Sequence, residues 1–388
     1  MKRVLLGVSG GIAAYKIPEL VRLLVKSGCS VKTILTDSAA HFCAKDAIAA
    51  LSGDSVYTGV FEPVFLDEGH TELAKWPDVI VVAPATANTI AKLALGVADN
   101  LLTTTYLASA APKLIVPSMN TRMYDADALQ KNLSEMRAGG ALTMPPDVGD
   151  LACRTYGVGR MPEPANIIEA AFRASGSRPL DGKRVIISAG ASVESIDDVR
   201  TITNRSSGKM GAALARAAYR LGADVTLILG RAAVCPLPPV KIIPVESIRD
   251  FREAYAETQP YADYLIATAA IGDFVPAKKI KGKIRRGNLP LRLELSPSPD
   301  LIAEVARKKQ HGQTIVGFAL ESELNERAAR QKLREKKLDA IFLNSAAAMG
   351  ADRNGGVALS AAGDRRVFRT VSKLDLAGQL WLWLISLN

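Results

Sequence analysis

The chain has 388 residues, 48% hydrophobic and 23% charged, a composition that excludes an intrinsically disordered protein and gives room for two or three domains. Four cysteines without a CxxC pair and three histidines exclude a disulfide scaffold and a histidine-rich metal centre, and favour a reducing, cytoplasmic compartment. The net charge of +10 arises in residues 181–388, because residues 1–180 contain 17 basic and 17 acidic residues.

The first half of the chain alternates apolar strands with helices. The basic, apolar N-terminus is interrupted by glycines and Ser9, which predicts a first strand and loop rather than a signal peptide. The most apolar window, residues 79–98, contains Pro84 and Lys92 and is too polar to span a membrane. Strands without alternation are typical of parallel sheets covered on both faces, so we expect a doubly wound, Rossmann-like α/β domain. The predicted elements are strand 3–8, helix 13–26, and strands 31–35, 79–83 and 114–116.

The second half repeats this pattern after a turn-rich run, SGSRPLDGKR, which marks a domain boundary. We therefore expect two Rossmann-like domains, residues 1–176 and 177–388. Residues 277–296 do not continue this pattern of strands and helices. A basic run is followed by alternating leucines, which predicts a hairpin or flap inserted in the sheet. The C-terminal LWLWLISL fits a last helix, a strand or an interface. The other predicted elements are strands 185–188, 224–229 and 264–267, a helix from Gly211 to Leu221, and a helix from Glu323 to Lys337 with one solvent-exposed face.

Three loops of the first half are rich in small, hydroxyl and amide residues, and each follows a predicted strand. Backbone N–H groups at the start of a helix favour an anion there. The spacing is not GxGxxG and no acidic residue closes the second strand, which favours flavin mononucleotide (FMN) over a dinucleotide. A tight turn without a ligand is the alternative for the glycine loop. The candidate cofactor-binding residues are Ser9, Gly10, Gly11, Thr36, Ser38, Thr86 and Asn88.

Several motifs together point to one family. They are GGIAAYK (10–16), His70 followed by ELA, APATAN (83–88), PSMNTRM (117–123) and Cys153. In their order and spacing the first half resembles the flavin-dependent cysteine decarboxylases. The whole chain is similar to the bifunctional phosphopantothenoylcysteine decarboxylase / phosphopantothenate cysteine ligases of coenzyme A biosynthesis.

The resemblance implies three catalytic residues in the first half. His70 corresponds to the base, Asn120 to the group that holds the substrate carboxylate, and Cys153 to the proton donor. FMN would oxidise the cysteinyl thiol, so that CO₂ leaves, and a hydride and a proton would then return to the substrate. Gly149, Gly157 and Gly159 would let the Cys153 loop swing onto the substrate. Taken singly, such residues are more often a turn asparagine, a satisfied histidine or a small core cysteine.

The second half contains a phosphate-like cradle and a basic run. Residues 203–211, TNRSSGKMG, are not a Walker A motif, and a generic helix N-cap explains them equally well without the family. Residues 278–286, the basic flap, carry six basic residues in nine, as a solvated loop or a cover for a triphosphate would. A nucleic-acid patch is disfavoured because no aromatics interleave.

By resemblance, Asn204 acts on an acyl-nucleotide intermediate and Lys283 is the catalytic flap lysine. The implied reaction joins L-cysteine to 4′-phosphopantothenate with CTP, and Mg²⁺ would be held largely by the CTP phosphates. The implied assembly is a homo-oligomer, a dodecamer built from decarboxylase trimers, with ligase domains paired as dimers. The remaining implied nucleotide-binding residues are Ala267, Thr268, Ala269, Asp273, Pro299, Asp300, Leu301, Ile302, Phe318, Lys332 and Lys336.

The chain departs from the family pattern at residues 191–195, 285–286, 298 and 344–354. The first departure loses an arginine, and Ser298 stands where asparagine is usual. These differences bear on nucleotide preference and leave one competing hypothesis, a non-catalytic flavin-binding subunit with a regulatory role.

Overall fold

Two large β-sheets, one in each half of the chain, organise the structure; the first is parallel and the second is mostly parallel. The computed structural model describes residues 1–59, 69–233, 237, 239–286, 291–321 and 324–387. The chain divides into two units, Met1–Gly176 and Ser177–Asn388. Each sheet has helices on both faces, so the predicted α/β class with two Rossmann-like folds is confirmed.

The sheet of the first unit has the strand order β3-β2-β1-β4-β5-β6, with all neighbours parallel. Its strands are β1 (Lys2–Val8), β2 (Cys29–Leu35), β3 (Val56–Tyr57), β4 (Val79–Ala85), β5 (Lys113–Pro117) and β6 (Leu142–Thr143), and a hairpin follows from β7 (Asp147–Asp150) and β8 (Tyr156–Arg160). Its helices are α1 (Ile17–Lys26), α2 (Lys45–Ser52), α3 (Gly69–Lys75), α4 (Ala87–Leu95), α5 (Leu101–Ala108), α6 (Thr121–Tyr124), α7 (Asp127–Ala138) and α8 (Pro164–Ser175).

Alternation along the strands explains the two layers of this core. Leu6 and Val8 of β1 pack with α1, α2 and α8 on one face, while Leu5 packs with α4, α5 and α7 on the other. The predicted single helix over residues 13–26 is wrong at its start. A 3₁₀ turn covers Ile12–Lys16, and the α-helix begins at Ile17 with Pro18 in its first turn, a position that suits the fixed φ of proline.

The sheet of the second unit has eight strands in the order β13-β12-β9-β14-β17-β18-β19-β20, and its last two strand pairings, β18–β19 and β19–β20, are antiparallel. Its strands are β9 (Arg184–Ala189), β12 (Asp224–Leu229), β13 (Lys241–Pro244), β14 (Tyr264–Ala267), β17 (Thr314–Glu321), β18 (Ala340–Ser345), β19 (Arg353–Ser360) and β20 (Arg365–Ser372), and two separate ribbons pair β10 (Val193–Ser195) with β11 (Thr201–Thr203) and β15 (Phe274–Pro276) with β16 (Leu295–Pro297). Its helices are α9 (Lys209–Arg220), α10 (Ile248–Thr258), α11 (Leu301–Arg307), α12 (Glu326–Glu335) and α13 (Lys373–Ile385).

The described residues of the segment 277–296 do not enter the main sheet, so the predicted insertion is wrong. Both edges of β14 are occupied, by β9 and by β17, which leaves no position for another strand beside it. The segment instead connects the two strands of the β15–β16 ribbon, and only Leu295 of the alternating leucines lies in a strand. Residues 287–290 of this segment fall outside the described residues. Glu323, at which the sequence predicts the start of the partly solvent-exposed helix, also falls outside them.

Most of the C-terminal LWLWLISL lies in α13, which buries Leu380, Trp381, Trp383 and Leu384. Trp381 is 0% exposed, its Nε1 donates a hydrogen bond to the Leu214 carbonyl of α9 at 3.0 Å, and its ring meets Tyr264 edge-on. The C-terminal tryptophans therefore belong to the core of the second unit. No helix within the described ranges has the length and apolar character needed to cross a bilayer.

We expect Trp381→Phe to lower the free energy of unfolding of the second unit by about 1–3 kcal/mol, because it leaves a cavity and removes the bond to Leu214. Leu382→Ala is the matched control, since Leu382 is 57% exposed on the same helix and should cost less than about 0.5 kcal/mol. Urea unfolding measures both variants. Equal losses would contradict the burial argument.

Candidate functional site

The strand order of the first sheet reverses between β1 and β4, and ligands of open α/β sheets bind beyond such a reversal. Ser9, 1% exposed, joins the loops that follow these strands. Its hydroxyl donates to the Pro84 carbonyl at 2.7 Å and accepts from the Thr86 amide at 2.9 Å. Ser9 therefore shapes the site by fixing the two loops against each other.

Gly10 brings a third loop to the same place. A Cβ on Gly10 would lie 2.2 Å from the Cβ of Ser38, so only glycine lets the loop after β1 pass this closely to the loop after β2. Thr86 begins α4, and its hydroxyl accepts from the Thr89 amide at 3.3 Å. Ser38 and Asn88 are exposed beside these loops. Hydroxyl, amide and backbone N–H groups gathered at a helix start fit the phosphate of a mononucleotide.

The β7–β8 hairpin packs against the loop after β5 because β8 carries glycines. A Cβ on Gly157 would lie 2.5 Å from Thr121 Oγ1, and one on Gly159 would lie 2.0 Å from the Met119 carbonyl oxygen. The Thr121 hydroxyl donates to the Val158 carbonyl at 2.8 Å across this contact. In the structure these two glycines serve close packing, which differs from the hinge role expected of them.

This packing brings Asn120 and Cys153 together, although 33 residues separate them. Asn120 caps α6 by accepting from the Arg122 amide, and its Nδ2 donates to Cys153 Sγ at 3.2 Å. Cys153 is exposed in the hairpin turn, with its sulfur 3.0 Å from Thr155 Oγ1. Hydrogen bonds from Thr155 and then Asn120 lower the pKa of the Cys153 thiol. Sequence reasoning missed Thr155, whose only signal is a hydroxyl two residues after the cysteine.

His70 lies elsewhere in the first unit, half-buried on the short helix α3. Among the described residues, no hydrogen bond joins it to Asn120 or Cys153. The structure thus assembles two of the three expected catalytic side chains, and the place of His70 in the reaction stays a prediction.

The lowered pKa of Cys153 predicts its reactivity. A lowered pKa keeps the thiolate present at lower pH, so alkylation of Cys153 by iodoacetamide should reach half its maximal rate at a lower pH than alkylation of an ordinary cysteine. Asn120→Ala removes one of the two side-chain hydrogen bonds and should move that midpoint upward. Peptide mass spectrometry separates Cys153 from buried Cys29 and Cys43. An unchanged midpoint in Asn120→Ala would contradict the contact.

A cleft of about 780 Å³ lies at the corresponding reversal of the second sheet, between β9 and β14. Gly211 lets α9 lie close to the end of β9 and to the residue that follows β14. A Cβ at this position would lie 2.4 Å from the Cβ of Ala189 and 2.6 Å from Thr268 Oγ1. Except for Lys283, every ligase residue expected from the sequence lines the cleft: Asn204, Ala267, Thr268, Ala269, Asp273, Pro299, Asp300, Leu301, Ile302, Phe318, Lys332 and Lys336.

The loop before α9 forms one wall of this cleft. Asn204 donates from Nδ2 to the Ala270 carbonyl at 3.2 Å, which ties the loop to the end of β14. Gly208 occupies the N-cap position of α9 with φ +72°, and no side chain caps the helix. Residues 203–211 line the cleft, as a ligand-binding loop would.

The cleft lining also carries cations and a carboxylate. Asp300 caps α11 through the Ala303 amide and pairs with Lys336 at 2.9 Å. Sequence reasoning missed Lys373, which is 8% exposed, lines the cleft and has its pKa lowered by burial. Lys209, which also lines the cleft, lies within the TNRSSGKMG motif and pairs with Asp352 at 2.6 Å. Lys373 has no such motif to reveal it.

Lys283 is exposed and lies outside the cleft lining. Two of the residues that depart from the family pattern bond to distant parts of the chain: Glu194 accepts from the Ile248 amide at 2.7 Å, and the Ser298 hydroxyl donates to the Gly272 carbonyl at 2.5 Å. Within the described ranges, no group of three or more His, Cys, Asp or Glu side chains could hold a metal ion.

Two family models match the chain. The model described as Flavoprotein matches residues 1–175, and the model described as DNA/pantothenate metabolism flavoprotein C-terminal domain matches residues 180–387. Each match covers one of the two units.

Relatives match at nearly full length. The coenzyme A biosynthesis bifunctional protein CoaBC of Bacillus subtilis (strain 168) is 43% identical, over 98% of this chain and 95% of its own. The protein of the same name from Escherichia coli (strain K12) is 41% identical, over 88% and 86%. A crystal structure of the C-terminal domain of CoaBC is 32% identical and covers 54% of this chain and 98% of its own, with a TM-score of 0.48.

These relatives are bifunctional enzymes, which agrees with the enzymatic interpretation and not with a non-catalytic flavin-binding subunit. The chain therefore belongs to the DNA/pantothenate metabolism flavoprotein family and is one of its bifunctional coenzyme A biosynthesis enzymes.

Proposed function

We propose that the two units catalyse successive reactions. The second unit, residues 177–388, joins L-cysteine to 4′-phosphopantothenate at the expense of CTP. The first unit, residues 1–176, decarboxylates the resulting 4′-phosphopantothenoylcysteine to 4′-phosphopantetheine with FMN. The observation that carries this proposal is that residues far apart in sequence, assigned by resemblance to one reaction, come together in each unit. Asn120 and Cys153 meet beside the end of β5, and the ligase residues other than Lys283 line one cleft.

In the decarboxylase reaction, the Asn120 amide binds the substrate carboxylate through the Nδ2 group that donates to Cys153 in the structure. His70 accepts the proton of the substrate thiol. The Cys153 thiol donates a proton to the substrate carbon that has lost CO₂, and the hydrogen bonds that lower its pKa make it a better acid. FMN supplies the oxidation of the substrate thiol and the reduction that follows decarboxylation.

The residues that would hold FMN are the three loops joined at Ser9 and Gly10. Their donors suit its phosphate, and their glycines admit it close to the backbone. The cofactor-binding set predicted from the sequence thus stays our proposal: Ser9, Gly10, Gly11, Thr36, Ser38, Thr86 and Asn88.

In the ligase reaction, an oxygen of the 4′-phosphopantothenate carboxylate attacks the α-phosphorus of CTP and pyrophosphate leaves. The amine of L-cysteine then attacks the acyl carbon, and CMP leaves with the electrons of the broken bond. Lysines on the cleft walls and Lys283 of the basic flap offset the charge of the triphosphate and of leaving pyrophosphate. Asn204 acts on the acyl-cytidylate, and Mg²⁺ arrives bound to the CTP phosphates.

We further propose a cytoplasmic homo-oligomer with decarboxylase trimers arranged in a dodecamer, as the family resemblance implies. A compartment that keeps thiols reduced suits the role of Cys153.

Separation of the nucleotides after incubation with 4′-phosphopantothenate, L-cysteine, Mg²⁺ and either CTP or ATP tests the ligase reaction. We expect CMP and pyrophosphate in equal amounts with CTP, and little AMP with ATP. Omission of L-cysteine is the control and should stop CMP release. Preferential formation of AMP would contradict the CTP assignment, and formation of neither product would contradict the ligase itself.

A further inference from the structure

Two neighbouring aspartates hold the basic flap on either side of Lys283. Asp197 and Asp198 lie in the loop between β10 and β11. Asp198 Oδ2 accepts from the Gly282 amide at 2.9 Å, and Asp197 Oδ2 accepts from the Ile284 amide at 3.0 Å. The two residues adjoining Lys283 in the chain are therefore both fixed through their backbone, while the Lys283 side chain is exposed.

Asp197 is buried and accepts further hydrogen bonds from its own loop. It is 1% exposed, and its Oδ1 accepts from the amides of Val199 at 2.8 Å and Arg200 at 2.6 Å. The Arg200 guanidinium donates both to Asp197 Oδ2 at 2.5 Å and to the Ile284 carbonyl at 3.1 Å. Asp197 and Arg200 thus bind Ile284 at its amide and at its carbonyl.

The charge state of Asp197 also favours a stable contact between this aspartate and the basic flap. Burial acts to raise the pKa of Asp197, but hydrogen bonds from the amides of Ile284, Val199 and Arg200 outweigh it and hold the pKa well below its usual range. The carboxylate is therefore charged at neutral pH. A buried charge with its partners removed is costly, so this contact resists opening.

We propose that Asp197 is a positioning residue of the ligase: it fixes the backbone of Lys283 so that the ammonium group meets the triphosphate bound in the cleft. This inference rests on the proposed ligase function. A displacement of about 1 Å at a reacting centre costs about 100-fold in rate, so loss of the anchor should affect catalysis more than binding.

The test compares Asp197→Asn, Lys283→Gln and the double variant in the intact chain, with CMP release as the measurement. Asparagine keeps the size of the side chain, but its NH₂ group replaces one of the oxygen atoms that accept hydrogen bonds from the surrounding N–H groups. We expect Asp197→Asn to lower kcat about 10- to 100-fold with a smaller change in KM for CTP. If Asp197 acts through Lys283, adding Asp197→Asn to Lys283→Gln should change kcat less than about 3-fold.

Asp198→Asn is the second variant, because Asp198 is half exposed and its loss should not threaten folding. It should give a smaller loss of kcat that also disappears in the Lys283→Gln background. Glu253→Gln removes an exposed carboxylate of the same unit and should leave kcat unchanged. Trypsin cleavage after Lys283 reports the anchor without any ligand, and we expect it to quicken about 10-fold in Asp197→Asn.

The outcomes separate two failures. Wild-type kcat in Asp197→Asn, or losses that multiply in the double variant, would overturn the positioning role while leaving the ligase intact. Unchanged cleavage by trypsin would overturn the anchor itself. No CMP release by the wild-type chain would overturn the proposed function, and the inference with it.

Discussion

Cys153→Ser should stop the formation of 4′-phosphopantetheine but still release one CO₂ for each bound FMN, which would then stay reduced. Serine keeps the position of the side chain beside Asn120 and Thr155, but a hydroxyl is a far weaker acid than a thiol whose pKa is lowered by hydrogen bonds. Loss of a general acid costs about 10²- to 10⁴-fold in rate. Mass spectrometry should therefore find a decarboxylated product two hydrogen atoms lighter than 4′-phosphopantetheine.

Cys43→Ser is the matched control for this variant. Cys43 is buried and away from the hairpin, so its replacement should lower stability by about 1–2 kcal/mol and leave the final product unchanged. Normal turnover of Cys153→Ser would exclude the thiol as the proton donor. Loss of CO₂ release would show instead that Cys153 is needed before the protonation step.

Lys283→Gln should abolish most amide formation and spare decarboxylation of supplied 4′-phosphopantothenoylcysteine. Glutamine keeps much of the side-chain length but cannot offset the charge that develops as pyrophosphate leaves, and removal of such an electrostatic group costs about 10²- to 10³-fold in kcat. In the proposed function decarboxylation belongs to the other unit, so its activity in this variant reports that the first unit is intact.

Lys281→Gln distinguishes position from net charge. Lys281 is exposed in the same basic flap and carries the same charge, but the two aspartate contacts flank Lys283 instead. We expect a loss of less than about 5-fold, as for a screened surface charge. Equal losses in the two variants would mean that the flap acts only through its overall charge, and loss of both reactions in Lys283→Gln would mean that it is structural.

The sequence pattern predicts the sheets well because their central strands are apolar throughout. The strands over 224–229 and 264–267 begin and end where the pattern predicts, since each is buried between helices on both faces. Two features were not predictable in this way: the division of the first predicted helix into a 3₁₀ turn and an α-helix at Ile17, and the separate β15–β16 ribbon. The first depends on where Pro18 permits a helix to start, and the second on which sheet edges are already occupied.

The site was predictable in part for the same reason. Asn120 follows β5, and residues 267–269 lie at the end of β14 and directly after it. The positions of the strand ends are therefore enough to place all of these residues at the sheet edge where ligands bind. The meeting of Asn120 with Cys153 depends on the close packing that Gly157 and Gly159 allow, a contact between distant parts of the chain. Lys373 and Asp197 carry no local motif, and only the tertiary fold brings them to the cleft and the flap.

We propose that one chain performs both reactions in sequence. Mass spectrometry of the products that the purified protein forms from 4′-phosphopantothenate, L-cysteine, CTP and Mg²⁺, together with its visible spectrum, tests this proposal. We expect a yellow protein that yields 4′-phosphopantetheine, CMP and CO₂. A protein that accumulates 4′-phosphopantothenoylcysteine, or that binds flavin and forms neither product, would contradict it.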